Sequence, residues 1–305
     1  MDELEYDVLI IGAGIAGCTA ALAACRAGMR PFVADIRPEA YAKPCGDGLS
    51  PRSIALLAEL GIASSRITAA GGHEILRSIH EMPSQTVSLQ MTPGTCFTLP
   101  RRRLLTLLRQ EAAGRGAVFL FECHTSPVHD ATGWRLPALA KAPSLINATG
   151  CQHGLWTDVQ KKRSLPVGGT AICRADTRLD SSTFFFWHLS RGHFPAYQWA
   201  FPLPDGQWNI GVWGFMPIGQ VREDMQCLLN RWERELATAT ELITPPRYAL
   251  LGTRSVLGMP GEAGAWYAAG DVAGACDLGS GEGIADAMGG GIHAVELCLG
   301  QRKGT

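Results

Sequence analysis

The clearest structural signal in this 305-residue chain lies near its start, in Asp7-Val8-Leu9-Ile10-Ile11-Gly12-Ala13-Gly14-Ile15-Ala16-Gly17. Its apolar run predicts a buried strand, and the residues after the glycines predict a helix over 18–26. Gly12 permits a tight turn, Gly14 lets a pyrophosphate approach the backbone, and Gly17 lets the helix pack closely on the strand. The N-terminus of that helix adds N–H groups and a positive dipole end. The stretch therefore predicts a phosphate-binding strand–turn–helix unit.

A second apolar run, residues 31–34, ends in an acid, Asp35. This acid lies about 20 residues beyond the glycines, where a carboxylate can accept hydrogen bonds from a ribose. The alternative is an acid that only keeps a strand end soluble. The combined pattern predicts a dinucleotide site. Its candidate residues are Gly12, Ala13, Gly14, Ile15, Ala16, Gly17, Asp35, Ile36 and Arg37.

The composition favours a soluble enzyme. A formal net charge of −1 gives no reason to expect nucleic-acid binding. The ten cysteines form no C-x-x-C pair, which predicts reduced thiols in a cytosol and no metal site. The N-terminus is acidic, the reverse of a signal peptide, and no apolar run reaches the ~20 residues that a membrane span requires. We expect a cytoplasmic protein without a transmembrane segment, with peripheral membrane contact left open.

The rest of the chain predicts an α/β fold of two interleaved domains. Short alternating runs at 74–80, 86–91 and 96–99 predict strands of a second layer. A helix is predicted over 101–113, and strands at 117–121 and 145–150 should return to the first sheet. Residues 164–254 are rich in strand-forming and aromatic residues. We predict a Rossmann-like nucleotide-binding domain (1–73, 100–155 and 255–305) and a mixed or antiparallel β-sheet substrate domain (74–99 and 156–254).

Three further stretches join the glycine motif to make a recognisable set. They are Lys43-Pro44-Cys45-Gly46-Asp47-Gly48-Leu49-Ser50-Pro51, the run Tyr197-Gln198-Trp199-Ala200-Phe201-Pro202 continuing to Asn209-Ile210-Gly211-Val212, and Gly270-Asp271 with Gly281-Glu282-Gly283-Ile284. Together the four stretches resemble the geranylgeranyl reductase family, a branch of the para-hydroxybenzoate-hydroxylase-like flavoproteins. The usual C-G-G-G of that family's cysteine loop reads Cys45-Gly46-Asp47-Gly48 here.

The resemblance implies a Rossmann-like FAD-binding domain interleaved with a β-sheet substrate domain. It implies that Asp271 accepts hydrogen bonds from the ribityl chain of FAD, and that the helix near Gly283 faces the pyrimidine edge of the flavin. Arg101 matches an arginine that begins the helix after the crossover strand, although its neighbours Arg102 and Arg103 are alternatives. The residues expected around the flavin are Cys45, Gly46, Arg101, Gly270, Asp271, Gly281, Gly283 and Ile284.

Two residues of the cysteine loop are the catalytic candidates. Cys45 would donate a proton after hydride transfer, with Lys43 lowering the pKa of its thiol, or would only shape the pocket. Asp47 would act as a general acid or base, or would form the turn beside Gly46.

Aromatic residues mark the predicted substrate side. The alternation of Tyr197, Trp199 and Phe201 places them on one strand face, and Phe186 lies in a neighbouring aromatic run. An aromatic pocket suits a hydrophobic or planar substrate, whereas the alternative is an ordinary sheet core. His188 and His193 lie nearby and are candidate bases, although a histidine in an aromatic strand is more often structural.

The predicted function is that of an FAD-dependent oxidoreductase, most simply one that delivers a flavin hydride to a C=C bond. One alternative is an FAD-dependent monooxygenase of hydroxylase or halogenase type in secondary metabolism. Another is a non-catalytic flavin-binding maturation protein. A reductase needs an external electron donor, for which NAD(P)H, ferredoxin and a flavin reductase are the candidates.

Overall fold

The computed structural model describes residues 3–151, 166–190, 195–252, 266–274, 276–277 and 279–302. The strands among them are β1 (Leu4–Glu5), β2 (Val8–Ile11), β3 (Pro31–Ala34), β4 (Gly48–Leu49), β5 (His73–Glu74), β6 (Arg77–Met82), β7 (Gln85–Gln90), β8 (Phe97–Thr98), β9 (Val118–Leu120), β10 (Val128–Asp130), β11 (Gly133–Leu136), β12 (Ala140–Ala142), β13 (Leu145–Asn147), β14 (Val167–Thr177), β15 (Thr183–His188), β16 (Ala196–Pro202), β17 (Gln207–Gly214), β18 (Ala237–Leu250) and β19 (Trp266–Ala268).

The helices in the described part of the chain are α1 (Ile15–Arg26), α2 (Pro51–Glu59), α3 (Ser64–Ala69), α4 (Arg101–Ala113), α5 (Ile218–Arg231) and α6 (Ile284–Arg302). A π-helical turn, Trp232–Leu236, follows α5, and a 3₁₀ turn, Gly270–Ala273, follows β19. Among the helices that the structure describes, none is long and apolar enough to cross a membrane.

A parallel sheet with the strand order β19-β13-β2-β3-β9 forms the centre of the molecule. The chain leaves β2 through α1 to β3 on one side, while β13 and β19 pair on the other side. Strand order therefore reverses at β2, and such a reversal opens a crevice at the carboxyl ends of the strands. The predictions that 117–121 and 145–150 return to this sheet are confirmed, as β9 and β13.

The alternation along β2 divides two cores. Val8 and Ile10 face a layer formed by α1, α4 and α6, whereas Leu9 faces a small sheet with the order β1-β12-β11-β10. The helices of the first layer lie close together: a Cβ at Gly291 of α6 would lie 2.5 Å from the carbonyl oxygen of Ala16 in α1. The parallel sheet is thus the middle of three layers, which confirms the α/β fold class.

A larger sheet has the order β18-β14-β17-β16-β15-β6-β7. Its pairs are antiparallel apart from β6 with β15, which are parallel. Helix α5 covers one face, where Val221, Met225 and Leu228 pack with Trp232 of the following turn. The other face carries Tyr197, Trp199 and Phe201. Sequence reasoning missed α5, because it described 164–254 only as rich in strand-forming and aromatic residues.

The structure corrects one predicted pairing. The run at 96–99 was expected in the second layer, but Phe97–Thr98 instead forms the middle of a three-stranded sheet, between Gly48–Leu49 and His73–Glu74. Two-residue strands carry almost no alternation, so the sequence does not specify their partners. The predicted domain boundaries at 155/156 and 254/255 lie outside the described residues.

Candidate functional site

A cavity of about 880 Å³ lies between the carboxyl ends of the parallel sheet and the aromatic face of the seven-stranded sheet. Its lining comes from the glycine loop, the end of β3, the cysteine loop 43–50, the aromatic strands and the segments 269–271 and 279–287. The volume is near the upper end of the roughly 300–1,000 Å³ found for ligand pockets. Every part of the chain that carried a sequence motif contributes to this cavity.

Backbone geometry shapes the end of the cavity at the glycine loop. Gly12 has a φ of +106°, and a Cβ there would lie 2.3 Å from the carbonyl oxygen of Ala148 on the neighbouring strand end. A Cβ at Gly17 would lie 1.8 Å from the carbonyl oxygen of Gly12. At Gly14, in contrast, nothing lies within 4 Å. Gly12 and Gly17 therefore close the turn, while Gly14 keeps the approach to the backbone open.

The N-terminus of α1 opens into the same space. Gly14 is its N-cap residue, and no side-chain hydrogen bond caps it in the described structure. Asp35 supports the loop from the end of β3: its carboxylate accepts from the backbone N–H of Ala13 at 2.6 Å and of Arg37 at 2.7 Å. The predicted ribose acceptor thus also fixes the turn that would hold the pyrophosphate.

Sequence reasoning missed a buried arginine beneath this loop. The guanidinium of Arg109 donates to the carbonyl oxygen of Ala13 at 2.8 Å and to that of Glu39 at 2.6 Å, and it lies over the Phe121 ring at 4.8 Å. Arg109 belongs to α4, as do the buried residues Leu104, Leu105, Leu107 and Leu108. In the sequence alone, an arginine in such a helix looks like an exposed surface charge.

Asp47 is a buried carboxylate that ties three elements together. One oxygen accepts from the backbone N–H of Arg101 at the start of α4 at 2.8 Å, and the other accepts from the Asn209 amide of β17 at 2.8 Å. Its φ of +63° lies in the left-handed region, where glycine is favoured and aspartate is among the better-tolerated replacements. This explains how aspartate can stand where the family usually has glycine. Burial raises the pKa of Asp47 to about 6.

Asn209 completes this network, and every polar atom of its side chain has a partner. Its amide N–H groups donate to Asp47 and to the carbonyl oxygen of Cys45, the latter at 2.7 Å. Its amide oxygen accepts from the hydroxyl of Thr170 at 2.6 Å and from the indole N–H of Trp199 at 3.0 Å. The residue therefore fixes the cysteine loop to the aromatic sheet.

Cys45 lines the cavity, but the pKa of its thiol is not lowered, contrary to expectation. Burial raises its pKa, and this outweighs the opposing effect of Arg101 and the smaller one of Lys43. Lys43 does lower the pKa of the thiol, as expected, but its effect is too small to activate Cys45. The ammonium of Lys43 instead pairs with Asp271 and donates to the carbonyl oxygen of Leu250, both at 2.5 Å. At neutral pH the Cys45 thiol carries its proton.

Arg101 lies beside this thiol. One terminal nitrogen of its guanidinium is 3.9 Å from Cys45 Sγ. Its Nε atom is buried and finds no hydrogen-bond partner among the described residues. A buried donor without a partner is costly and calls for an explanation such as a bound group. Of the three consecutive arginines, Arg101 is the one that lines the cavity.

The aromatic wall faces the cysteine loop. A Cβ at Gly46 would lie 3.2 Å from the Phe201 ring, and the rings of Phe201 and Phe186 are 5.1 Å apart. The Tyr197 hydroxyl donates to the carbonyl oxygen of Ser280 at 2.6 Å, so this wall also contacts the segment that carries the Gly281 motif.

The structure brings nearly all predicted site residues to one cavity. The candidates that line it are Gly12, Ala13, Gly14, Ile15, Ala16, Asp35, Ile36, Arg37, Cys45, Gly46, Arg101, Phe186, Tyr197, Trp199, Phe201, Gly270, Asp271, Gly281, Gly283 and Ile284. Among the described residues, Gly17 and Asp47 are not part of the lining, because Gly17 packs under the loop and Asp47 points toward Asn209. His188 lines the cavity, whereas His193 lies outside the described residues.

These features suit an FAD molecule. The uncapped N-terminus of α1 and the open space at Gly14 can take a pyrophosphate. The partnerless Nε of Arg101 and the carboxylate of Asp271 provide a donor and an acceptor further along the cavity.

Comparisons with known proteins agree with this geometry. Residues 5–135 match the FAD binding domain family. The chain is 31% identical to menaquinone reductase from Mycolicibacterium smegmatis, over 95% of this chain and 76% of that protein. It is 26% identical to digeranylgeranylglycerophospholipid reductase 2 from Methanothermobacter thermautotrophicus, over 68% of this chain, and the match spans 57% of that protein's length.

Among solved structures, a geranylgeranyl bacteriochlorophyll reductase-like protein from Thermoplasma acidophilum has the same fold. The TM-score is 0.78 with 21% identity, over 99% of this chain and 80% of that protein. With the glycine loop, the cysteine loop and the aromatic wall gathered around one cavity, the chain belongs to the geranylgeranyl reductase family and is an FAD-dependent oxidoreductase.

Proposed function

We propose that this protein reduces a C=C bond of a neutral hydrophobic substrate. The observation that carries the proposal is the position of Cys45, whose thiol lines the cavity beside Arg101 and opposite an aromatic wall. Reduced FAD supplies a hydride equivalent. Two curated relatives, one named for menaquinone and the other for digeranylgeranylglycerophospholipid, are both named as reductases, which supports a reduction of an extended apolar molecule.

We assign the cofactor to one side of the cavity. Gly12–Gly17 and the N-terminus of α1 would hold the pyrophosphate, and Asp35 the ribose of the adenosine. Asp271 would hold the ribityl chain, and its ion pair with Lys43 orients the carboxylate. The remaining predicted contacts, from Arg101 and from Gly281 to Ile284, would surround the flavin ring. The domain with the parallel sheet then binds FAD, and the seven-stranded sheet presents the substrate.

The chemistry that this chain adds is a proton at Cys45 Sγ. A C=C bond takes up a hydride equivalent at one carbon and a proton at the other. A thiol with a raised pKa retains that proton at neutral pH and can give it to the second carbon of the double bond. The resulting thiolate lies beside the Arg101 guanidinium, which stabilises the negative charge until solvent returns a proton.

Each turnover consumes two electrons, which an external donor must supply. NAD(P)H, ferredoxin and a flavin reductase are the donors that we propose to screen. The described cysteines are all free thiols, which suits a reducing compartment and supports a cytoplasmic location. Contact with a membrane surface would give access to an apolar substrate.

Product analysis in heavy water tests the proposed reaction. Enzyme reduced under anaerobic conditions is mixed with a polyprenylated quinone in D₂O, and the product is examined by mass spectrometry. We expect a product that has gained two hydrogens in its prenyl chain, both of them deuterium, because the N–H of a reduced flavin and the thiol both exchange with the solvent. An oxygenated product formed only when air is admitted would favour the monooxygenase alternative instead.

The matched variants are Cys45→Ala and Cys227→Ala. Cys227 is an exposed thiol on α5, away from the cavity. We expect Cys45→Ala to retain FAD and to lose about 10²–10⁴-fold in reduction rate, the usual contribution of a positioned acid. Cys227→Ala should match the wild type. Equal rates for both variants would remove Cys45 from the mechanism.

A further inference from the structure

A group of polar side chains lies in the same cavity, on strands β6 and β15 of the aromatic sheet. His80 Nδ1 is 3.2 Å from His188 Nε2, and His80 Nε2 is 3.2 Å from Ser78 Oγ. All three residues line the cavity, and Ser78 is only 2% exposed. The proposed reduction makes no use of them.

The parallel pairing of β6 with β15 creates this group. Phe186 stands opposite His80 in the register, and the two rings stack at 4.4 Å with an interplanar angle of 4°. His188 is two residues further along β15 and therefore lies on the same face of the sheet as Phe186. The stack and the two hydrogen bonds fix the orientation of the His80 ring.

The hydrogen bonds make the three residues a connected chain. A neutral imidazole has one donor nitrogen and one acceptor nitrogen, so the tautomer of His80 sets that of His188. When His80 donates to His188 Nε2, the proton of His188 must lie on its Nδ1. When His188 donates to His80 Nδ1, the proton of His80 lies on its Nε2 and points toward Ser78. The donor at the end of the chain is then the Nδ1–H of His188 in the first arrangement and the hydroxyl of Ser78 in the second.

The surroundings of this chain are apolar and without formal charge. Among the described residues, those that pair or stack with the three include Leu89, Phe184, Phe186 and Tyr197. Burial lowers the pKa of both histidines, and each histidine therefore stays neutral at pH 7. A site for a phosphate group would instead need arginine or lysine side chains.

We propose that the Ser78–His80–His188 chain binds a carbonyl oxygen of a neutral planar substrate head, such as a quinone ring. This inference rests on the proposed function and names its substrate class. Imidazole N–H groups are suitable donors to a carbonyl oxygen, and the aromatic rings provide flat surfaces for a quinone. The relatives are named for a quinone and for a phospholipid, and this inference favours the quinone as the substrate.

The position of the chain suits a substrate that spans the cavity. His80 contacts Phe186, Phe186 contacts Phe201, and Phe201 packs on Gly46 of the cysteine loop. A head bound at the histidines therefore lies two rings away from the loop. The C=C bond to be reduced would lie nearer Cys45, at a fixed distance from the head.

Binding to the oxidised holoenzyme tests this inference without any turnover. Two matched probes are 2-methyl-1,4-naphthoquinone and 2-methylnaphthalene, which share a fused ring but differ in the carbonyl groups. Their binding is followed by quenching of tryptophan fluorescence. We expect the wild type to bind the quinone about tenfold more tightly, the equivalent of one hydrogen bond of about 1.4 kcal/mol.

Three variants sharpen the test, each first checked for its FAD spectrum. His188→Phe should abolish the preference for the quinone while leaving the naphthalene affinity unchanged, and Ser78→Ala should reduce the preference. His188→Asn, which keeps a donor, should restore part of it. His293→Phe, an exposed position on α6, is the control.

The outcomes separate this inference from the proposed function. An unchanged preference in His188→Phe, or equal affinity of the wild type for both probes, would overturn the carbonyl site. Tighter binding of geranylgeranyl phosphate than of the quinone would overturn it as well. Selective quinone binding without subsequent C=C reduction would support the site and contradict the proposed reaction instead.

Discussion

At Gly14 nothing lies within 4 Å of the position that a Cβ would take, whereas at Gly46 the Phe201 ring already lies 3.2 Å from it. The first glycine belongs to the nucleotide end of the cavity, where backbone atoms and a helix N-terminus form the surface. The second faces the substrate end, where aromatic and histidine side chains form the surface of the cavity. The two ends of one cavity are therefore built from different groups.

This difference has consequences for what each end tolerates. The nucleotide end depends on close contacts between main-chain atoms, so a methyl group added at Gly12 or Gly17 meets backbone that cannot move aside. The substrate end depends on side chains held by a hydrogen-bond network centred on Asn209. Single substitutions can remove the hydrogen bonds of this network one at a time. Substitutions at the two ends should differ in whether they damage folding, cofactor binding or chemistry.

Gly17→Ala should have the largest effect. The added Cβ would lie 1.8 Å from the carbonyl oxygen of Gly12, inside a strand–helix contact with no side chain to rearrange. We expect a loss of more than about 4 kcal/mol in the free energy of unfolding, or no folded protein at all. Gly219→Ala, in open space on α5, should be neutral or slightly stabilising. Equal melting temperatures of the two variants would contradict the close packing.

Asn209→Ala should come next. It leaves the hydroxyl of Thr170, the indole N–H of Trp199 and one oxygen of Asp47 without their partner. We expect a loss of about 3 to 4 kcal/mol in denaturant unfolding, since each unsatisfied buried group costs about 1–3 kcal/mol and some relaxation occurs. Thr170→Val removes only one of these bonds and should cost about 1 kcal/mol. A similar loss in both variants would show that Asn209 is not the centre of the network.

Asp47→Asn should change how stability depends on pH. The pKa of Asp47 in the folded protein, about 6, lies above its unfolded value, so the folded state holds the proton more tightly. The stability from this group is therefore fully present below about pH 4 and is lost as the pH rises to about 6. The stability of the wild type relative to Asp47→Asn should fall by about 2 to 3 kcal/mol over that range. A difference that stays constant from pH 4 to 7 would rule out a buried, titrating carboxyl.

Gly14→Ala should have the smallest effect on the fold and a selective effect on the cofactor. The backbone of Gly14 has a φ of −76°, which alanine adopts freely, and the apoprotein has space for the methyl group. The methyl would occupy the space that the pyrophosphate needs. We expect the melting temperature of the apoprotein to stay the same and FAD binding to weaken about 10–100-fold, or 1.4–2.8 kcal/mol, in a fluorescence titration. Unchanged FAD affinity would place the pyrophosphate elsewhere.

The same contrast explains what could be predicted from the sequence. The glycine loop, α1 and Asp35 lie within 30 residues, and their spacing carries a fixed geometry, so that end followed from local pattern. The pairing of β6 with β15 joins residues more than 100 positions apart. His188 was noted as a candidate, but its partner His80 was not, because only the folded sheet places them together.

Asp47 and Asn209 show the same limit within a recognised motif. Both belong to stretches that marked the family, yet the sequence could not reveal that an Asp47 oxygen accepts from the Asn209 amide or that Asp47 points away from the cavity. The thiol of Cys45 was expected to be activated by Lys43, an adjacent residue in the motif. The structure instead pairs Lys43 with Asp271, more than 200 residues away.

The proposed mechanism requires that this cavity join bound FAD to the reduction of a neutral apolar substrate. Its most direct test is a stopped-flow experiment with enzyme reduced anaerobically and mixed with a polyprenylated quinone, the flavin absorbance being followed with and without oxygen. We predict rapid, quinone-dependent reoxidation in the absence of oxygen, and a product that has gained two hydrogens in its prenyl chain. Reoxidation that requires oxygen and passes through a transient near-ultraviolet adduct, with an oxygenated product, would contradict the account.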